Sequence, residues 1–196
     1  MPSIRRCWER TLTELGAPLP DEAQVRQLAG PPVDEVARQL LPDADEALIA
    51  AAVARYRLCS AADVSQVQAF PGVPELLDDL RERGVRLGLA TSKSIEVAEP
   101  VLEALGLRGH FAVAEGTRVD ELGTDKTTIV GRALAALAPD VPLGLVGDRR
   151  HDIEGAHANG IAGFGVLWGY GGRRELEAAG ADALLAEPAD VAALVA

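Results

Sequence analysis

"PLGLVGDRRHD", residues 142–152, is an apolar run that ends at Gly147 and Asp148, with a second carboxylate at Asp152. A short continuous apolar run closed by a glycine reads as a buried strand, so two acids four residues apart stand at its carboxyl end. Holding them there is costly unless something positive lies between them. Outward from this strand the pattern repeats. Further apolar strands are predicted at 85–90 (VRLGLA), 111–115 (FAVAE), 162–167 (AGFGVL) and 182–185 (DALL), with 142–146 among them, and helices at 74–83, 95–105, 126–137, 152–158, 173–179 and 188–195. Strands that alternate with helices and are apolar throughout predict an α/β fold, a doubly wound parallel sheet covered on both faces. Ligands in such folds sit beyond the carboxyl ends of the strands.

The first 65 or so residues read differently. Ile4, Cys7, Trp8, Thr11, Leu12 and Leu15 share one face of a helix over 2–15, which Gly16 and Pro18 stop. Further helices are predicted at 21–29, 32–41 and 44–59, separated by "GPP" and "PDAD". The expected division is therefore an all-helical unit at 1–68 and an α/β unit at 69–196.

With 196 residues, 48% of them apolar, the chain can bury a sizeable core. Its net charge of −11, without a basic block, argues against nucleic acid or an anionic membrane as partner. No stretch reaches the ~18–20 apolar residues that span a bilayer. A cytoplasmic protein with a small-molecule partner is expected, and the oligomeric state is not encoded in any pattern. Cys7 and Cys59, without a CxxC or a histidine at zinc spacing, read as two reduced packing thiols. Of 19 basic residues only Lys93 and Lys126 are lysines. In a chain so biased to arginine, a surviving lysine suggests a place that needs a compact ammonium.

Three strand ends carry polar residues. Thr91 and Ser92 follow strand 85–90 and open a helix, where hydroxyls and backbone N–H groups favour an anion. Lys126 begins a helix, and Asp148 and Asp152 follow strand 142–146. Hydroxyl, ammonium and paired carboxylates at one sheet edge supply what phosphoryl transfer needs: donors to phosphoryl oxygens, a fixed cation and oxygen ligands for Mg²⁺. Each alone is an ordinary feature, a helix cap, a solvated lysine or a turn.

In this order and spacing they resemble the haloacid dehalogenase-like hydrolases. "FPGVPELLDDLRERGVRLGLATSKS" (70–94) is similar to that family's approach to its strand-terminal Thr or Ser. "VGDRRHDIEGAHANGIAGFGVLWGYG" (146–171) is similar to the GDxxxD motif of its phosphoglycolate phosphatase-like and 5′-nucleotidase-like branch, and "LAGPPVDEV" (28–36) to the inserted helical cap of that branch. The resemblance implies a Rossmann-like core with a small all-α cap and Mg²⁺-dependent hydrolysis of a small phosphate monoester, phosphoglycolate- or nucleotide-like, through an aspartyl-phosphate. It implies catalytic roles for Thr91, Lys126 and Asp148, substrate contacts from Ser92, Lys93, Gly30 and Pro31, and Mg²⁺ at Asp148 and Asp152. Arg5, Arg26, Arg38, Arg55 and Arg57 are candidates for a second anionic group of the substrate.

The family's first motif, a strand running into DxDGT that supplies the nucleophilic Asp, has no counterpart. The only D-x-D, Asp43 and Asp45, follows a proline between two helices. "MPSIRRCW" resembles the residues that come after that motif. The expectation is an N-terminally truncated form, inactive alone and lacking the central strand of the sheet. The alternative is a pseudoenzyme that binds a phosphorylated metabolite without turnover. A dehalogenase needs no metal, and the paired acids speak against it. With the central strand missing, the chain is expected to be poorly folded, to close its flanking strands onto each other, or to take a strand from another chain.

Overall fold

The computed structural model describes residues 2–118, 121, 123–137 and 143–195. The apolar stripe at the start forms α1 (Pro2–Glu14), and Cys7, Trp8, Thr11 and Leu12 on it are buried. Asp21 caps α2 (Glu22–Gln27) by accepting the Ala23 and Gln24 N–H groups, and α3 (Val33–Leu40) follows the Gly-Pro-Pro turn. Asp45, of the isolated D-x-D, caps α4 (Glu46–Ala62) through the Leu48 N–H. These four helices share a core of their own, built on Trp8, Leu12, Val36 and Ile49. Trp8 stacks on Tyr56 with ring centroids 4.5 Å apart.

The cysteines depart from expectation. Packing α1 against α4 brings Cys7 and Cys59 to a Cα separation of 5.5 Å, and the two form a disulfide instead of standing as reduced thiols.

The rest of the chain alternates as predicted, with bounds shifted by a few residues: α5 (Val73–Glu82), β1 (Leu87–Ser94), α6 (Ile95–Ala104), β2 (Phe111–Thr117), α7 (Lys126–Leu137), β3 (Gly144–Gly147), α8 (Arg150–Ala158), β4 (Ala162–Val166), α9 (Arg173–Ala178), β5 (Ala183–Leu185) and α10 (Ala189–Ala192). Pro142 of the opening stretch lies outside the described residues. Every strand pairing is parallel, as crossover helices require. No helix among the described residues is long and apolar enough to cross a membrane.

The strands fall into two sheets, β1–β2 and β3–β4–β5. Among the described residues β1 pairs only with β2, and β3 only with β4, so of the three outcomes considered, closure of the flanking strands onto each other does not occur. A cavity of about 740 Å³ reaches both open strands, lined by Leu87 of β1, Val146 of β3, Leu137 of α7 and Phe164 of β4. Strands inside a covered parallel sheet are normally buried. Here β1 is half-buried along nearly its whole length, and Val146 is exposed.

Candidate functional site

At the carboxyl ends of β1 and β3 lies a second cavity, of about 240 Å³, and most of the residues singled out in the sequence meet on it. Thr91, Ser92 and Lys93 line it from β1, Lys126 from α7, Asp148 and Asp152 from the β3–α8 turn, and Gly30 and Pro31 from the loop before α3.

Lys126 is the first residue of α7, a position that lets its side chain cross between the sheets. Its Nζ donates to the Ala90 carbonyl of β1 at 2.6 Å and lies 2.8 Å from Asp152 Oδ1. Asp152 sits in the first turn of α8, where its Oδ2 accepts the backbone N–H groups of Asp148 (3.1 Å) and Arg149 (3.0 Å). A carboxylate there satisfies N–H groups of the turn and complements the helix dipole. The positive group between the acids is thus Lys126, and it belongs to Asp152.

Asp148 is placed otherwise. Its Oδ2 accepts the Tyr170 N–H at 2.6 Å, from the loop after β4. That loop, Trp168–Gly172, carries glycines because it runs against Asp148: a Cβ at Gly171 would stand 1.8 Å from the Asp148 carbonyl oxygen. Burial raises the Asp148 pKa, and the neighbouring Asp152 raises it further, against the lowering effect of the Tyr170 N–H.

Mg²⁺ keeps several waters and takes one or two carboxylates alongside substrate phosphate oxygens. One desolvated carboxylate, Asp148, and a second already neutralised by a lysine, Asp152, fit that role. A Mg²⁺ here could be held by Asp148 directly and by Asp152, which is paired with Lys126, directly or through water. The described residues contain no group of three or more His, Cys, Asp or Glu poised around a metal.

Thr91 and Ser92 are a correction to the local reading. They do not open the helix. β1 continues through Ser94, which is the residue before α6, with a break in pairing register between Ala90 and Ser94. In that irregular stretch the Thr91 hydroxyl accepts the Lys93 N–H at 3.2 Å. Lys93 Nζ reaches back to the helical unit and donates to Ser60 Oγ of α4 at 3.2 Å. Burial lowers the Lys93 pKa, and Asp63 offsets part of that shift.

Of the five arginines considered for a second anion, only Arg57 lines this cavity among the described residues. Arg5 pairs with Glu9 and Glu22, Arg38 with Asp34 and Glu46, and Arg55 with Glu14. The Arg26 side chain lies outside what is described. Reasoning from sequence missed Arg149, His151, Tyr170 and Ser60, which also face the cavity. The doubled glycines of "GYGG" were the available signal for Tyr170.

The haloacid dehalogenase-like hydrolase family model matches residues 2–166. The chain belongs to this family. Among related proteins, the tyrosine-protein kinase PtkA of Mycobacterium tuberculosis is 39% identical over 167 residues, which are 84% of this chain and 56% of that protein. The chain therefore spans little more than half of that relative's length. A 5′-nucleotidase of Pseudomonas aeruginosa is 34% identical over 178 residues, 89% of this chain and 80% of the relative. A phosphoglycolate phosphatase of Synechococcus elongatus is 36% identical over 126 residues, 64% of this chain and 58% of the relative. Among solved structures, a haloacid dehalogenase-like family hydrolase from Streptococcus pneumoniae superposes with a TM-score of 0.86 at 25% identity, over 100% of this chain and 91% of that one. The structure of PtkA superposes with a TM-score of 0.80 at 32% identity, over 98% of this chain and 90% of that one. The haloacid dehalogenase-like core accounts for the α/β class and the parallel strands.

Proposed function

We propose that this protein is a phosphatase of small phosphate monoesters whose site works with Mg²⁺ and is finished by a strand lying between β1 and β3. The observation that carries the reading is the meeting of the Thr91 hydroxyl, the Lys126 ammonium and the Asp148 and Asp152 carboxylates on one cavity at the strand ends. Thr91 Oγ1 and the Ser92 N–H would hold the phosphoryl oxygens, and Lys126 would neutralise them from a position fixed by Ala90 and Asp152. A Mg²⁺ held by Asp148, with Asp152 behind it, would supply charge stabilisation to the transferring group. The helices of residues 1–68 act as a cap over the core of 69–196, with the Gly30–Pro31 loop excluding water. The nucleophilic Asp belongs to the strand that fills the open gap, so the 196-residue chain on its own is expected to turn over at trace rates. Phosphoglycolate phosphatase and 5′-nucleotidase relatives support a phosphate ester as the substrate.

The test compares the chain with the same chain preceded by an apolar strand ending in DxDGT, on a panel of phosphate esters with Mg²⁺. Because one relative is named a tyrosine kinase, the panel includes ATP with a tyrosine peptide. Mg²⁺-dependent hydrolysis only in the longer form is expected. A second reading, binding of a phosphorylated metabolite without turnover, is favoured by the fact that Asp148 and Asp152 are the only carboxylates lining the cavity among the described residues. Inactivity of the longer form across the panel would select it.

A further inference from the structure

The disulfide and the candidate site are built on the same two helices. Cys7 is followed on α1 by Trp8, and Cys59 on α4 by Ser60. Trp8 and Ser60 line the site cavity, together with Ile4 of α1 and Tyr56 of α4. Ser60 Oγ also accepts a hydrogen bond from Lys93 Nζ of β1 at 3.2 Å, so it joins the helical unit to the core at the site. Each half of the disulfide is therefore the chain neighbour of a wall residue. Successive residues of a helix point about 100° apart, and the bond lies to the side of the wall, where Cys59 lines a separate cavity of about 170 Å³ with Arg10, Glu14, Arg55 and Leu58.

That separate cavity gives a reductant its approach. Leu58, among its lining residues, is 73% exposed, and Cys59 is half-buried where Cys7 is fully buried, so Cys59 carries the sulfur that is reached. Arg10 and Arg55 share one carboxylate there, Glu14, and the surplus positive charge favours an arriving thiolate. Apart from the bond and the shared core, α1 is held on α4 by the Trp8–Tyr56 stack and by Ser3 and Arg6, which donate to Asp63. The chain has no other cysteine, so this is the one covalent restraint on four helices of 13, 6, 8 and 17 residues. A unit of that size has a marginal core and depends on such restraints.

We propose that Cys7–Cys59 is a thiol-redox switch for the wall of the site. Oxidised, it holds α1 on α4 and keeps Ser60 seated on Lys93. In the switching step a thiolate of a dithiol reductant attacks Cys59 Sγ, the S–S bond breaks, and Cys7 leaves as a thiolate that takes up a proton. The second thiolate of the reductant then breaks the mixed disulfide and releases Cys59 as a thiol. The protein gains two electrons and two protons, and the reductant closes to its own disulfide. Without the bond α1 loosens from α4, the Ser60 contact opens, and Lys93 is uncovered. On the phosphatase reading above, what is switched is access to the phosphoryl site, but the test needs neither turnover nor bound phosphate.

The two lysines of the chain make the experiment. Lys93 reports the contact with α4, and Lys126, held by Ala90 and Asp152, reports the core. The rate at which acetic anhydride labels each is read by mass spectrometry in the oxidised 196-residue chain, in the same protein reduced with dithiothreitol, and in Cys7→Ser with Cys59→Ser. We expect Lys93 to label about tenfold faster in the reduced and the double-serine proteins, with Lys126 changing by about twofold or less. Reoxidation should restore the slow rate. Ser60→Ala, with the disulfide intact, should also label fast at Lys93, and this arm together with dithiothreitol serves if the double-serine protein fails to fold. A Lys93 rate unchanged by dithiothreitol overturns the proposal. So does a parallel rise at both lysines, which would mean loss of the whole structure, and so does a slow Lys93 in Ser60→Ala.

Discussion

Lys126 Nζ lies 2.8 Å from Asp152 Oδ1, and each side chain is only 12% exposed. A buried pair of this kind is weak evidence of stability in itself, but removing one partner strands the other charge, at a cost of about 3–5 kcal/mol. Lys126→Met should therefore destabilise the protein by roughly that amount in urea melts, and adding Asp152→Asn should recover part of the loss. In the form carrying the extra strand, Lys126→Arg should lower activity nearly as far as Lys126→Ala, because the guanidinium fork cannot replace a point charge shared by the Ala90 carbonyl and Asp152. Near-normal rates for the arginine variant would remove Lys126 from the site.

Lys93 gives a pH signature. Burial holds its folded pKa below the ordinary 10.5. Between the lowered folded value and 10.5 the unfolded chain binds more protons than the folded one, so this residue makes stability rise with pH across that window. Lys93→Met should be more stable than the wild type at pH 7, with the difference shrinking as the pH approaches 10.5. Parallel stability curves for the two proteins between pH 7 and 10 would refute a desolvated Lys93.

The Cys7–Cys59 link closes a loop with a sequence separation of 52. The chain-entropy relation puts its worth at about 4 kcal/mol. Reduction by a dithiol, or Cys7→Ser with Cys59→Ser, should lower the melting temperature of the helical unit. An unchanged melting curve after reduction would show that the helices hold without the bond.

The open strands should be visible in hydrogen exchange. Alternate N–H groups of β1 and β3 point away from β2 and β4, toward the gap, and have no strand partner among the described residues. Those amides in 87–90 and 144–147 should exchange faster than amides of β4, which is paired on both sides. Uniform protection across β1 and β3 in a dilute monomer would mean that a partner fills the gap.

What could be read from residues alone follows from what periodicity measures. The stripe on α1 and the alternation from α5 onward are local patterns, and the structure keeps them. Asp148 and Asp152 were legible because carboxylates beside an apolar run are conspicuous, and Lys126 because it is one of two lysines in a chain biased to arginine. "TSKS" was not. Its four residues are all polar, and no local rule says which of them stands before α6; the structure puts Ser94 there, with no side-chain cap hydrogen bond, and leaves Thr91–Lys93 in an irregular strand end. The disulfide depends on how α1 packs on α4, a relation across most of the helical unit. Glu175 likewise reaches Arg149 from α9 only through the fold, a relation that no local pattern carries.

The separation into two sheets bears on the order in which the molecule assembles. Residues 2–62 carry their own core and their own cross-link, so they can form while the remainder is still unstructured. β1–β2 and β3–β5 share no ladder hydrogen bonds, which lets each condense separately around its own crossover helices. What joins them is the seating of α7 against β1 and α8, and the Lys126 contacts to Ala90 and Asp152 close only then. On this proposed order the contact forms after the transition state. Lys126→Met should therefore speed unfolding in proportion to the stability it removes, while the refolding rate stays nearly the same.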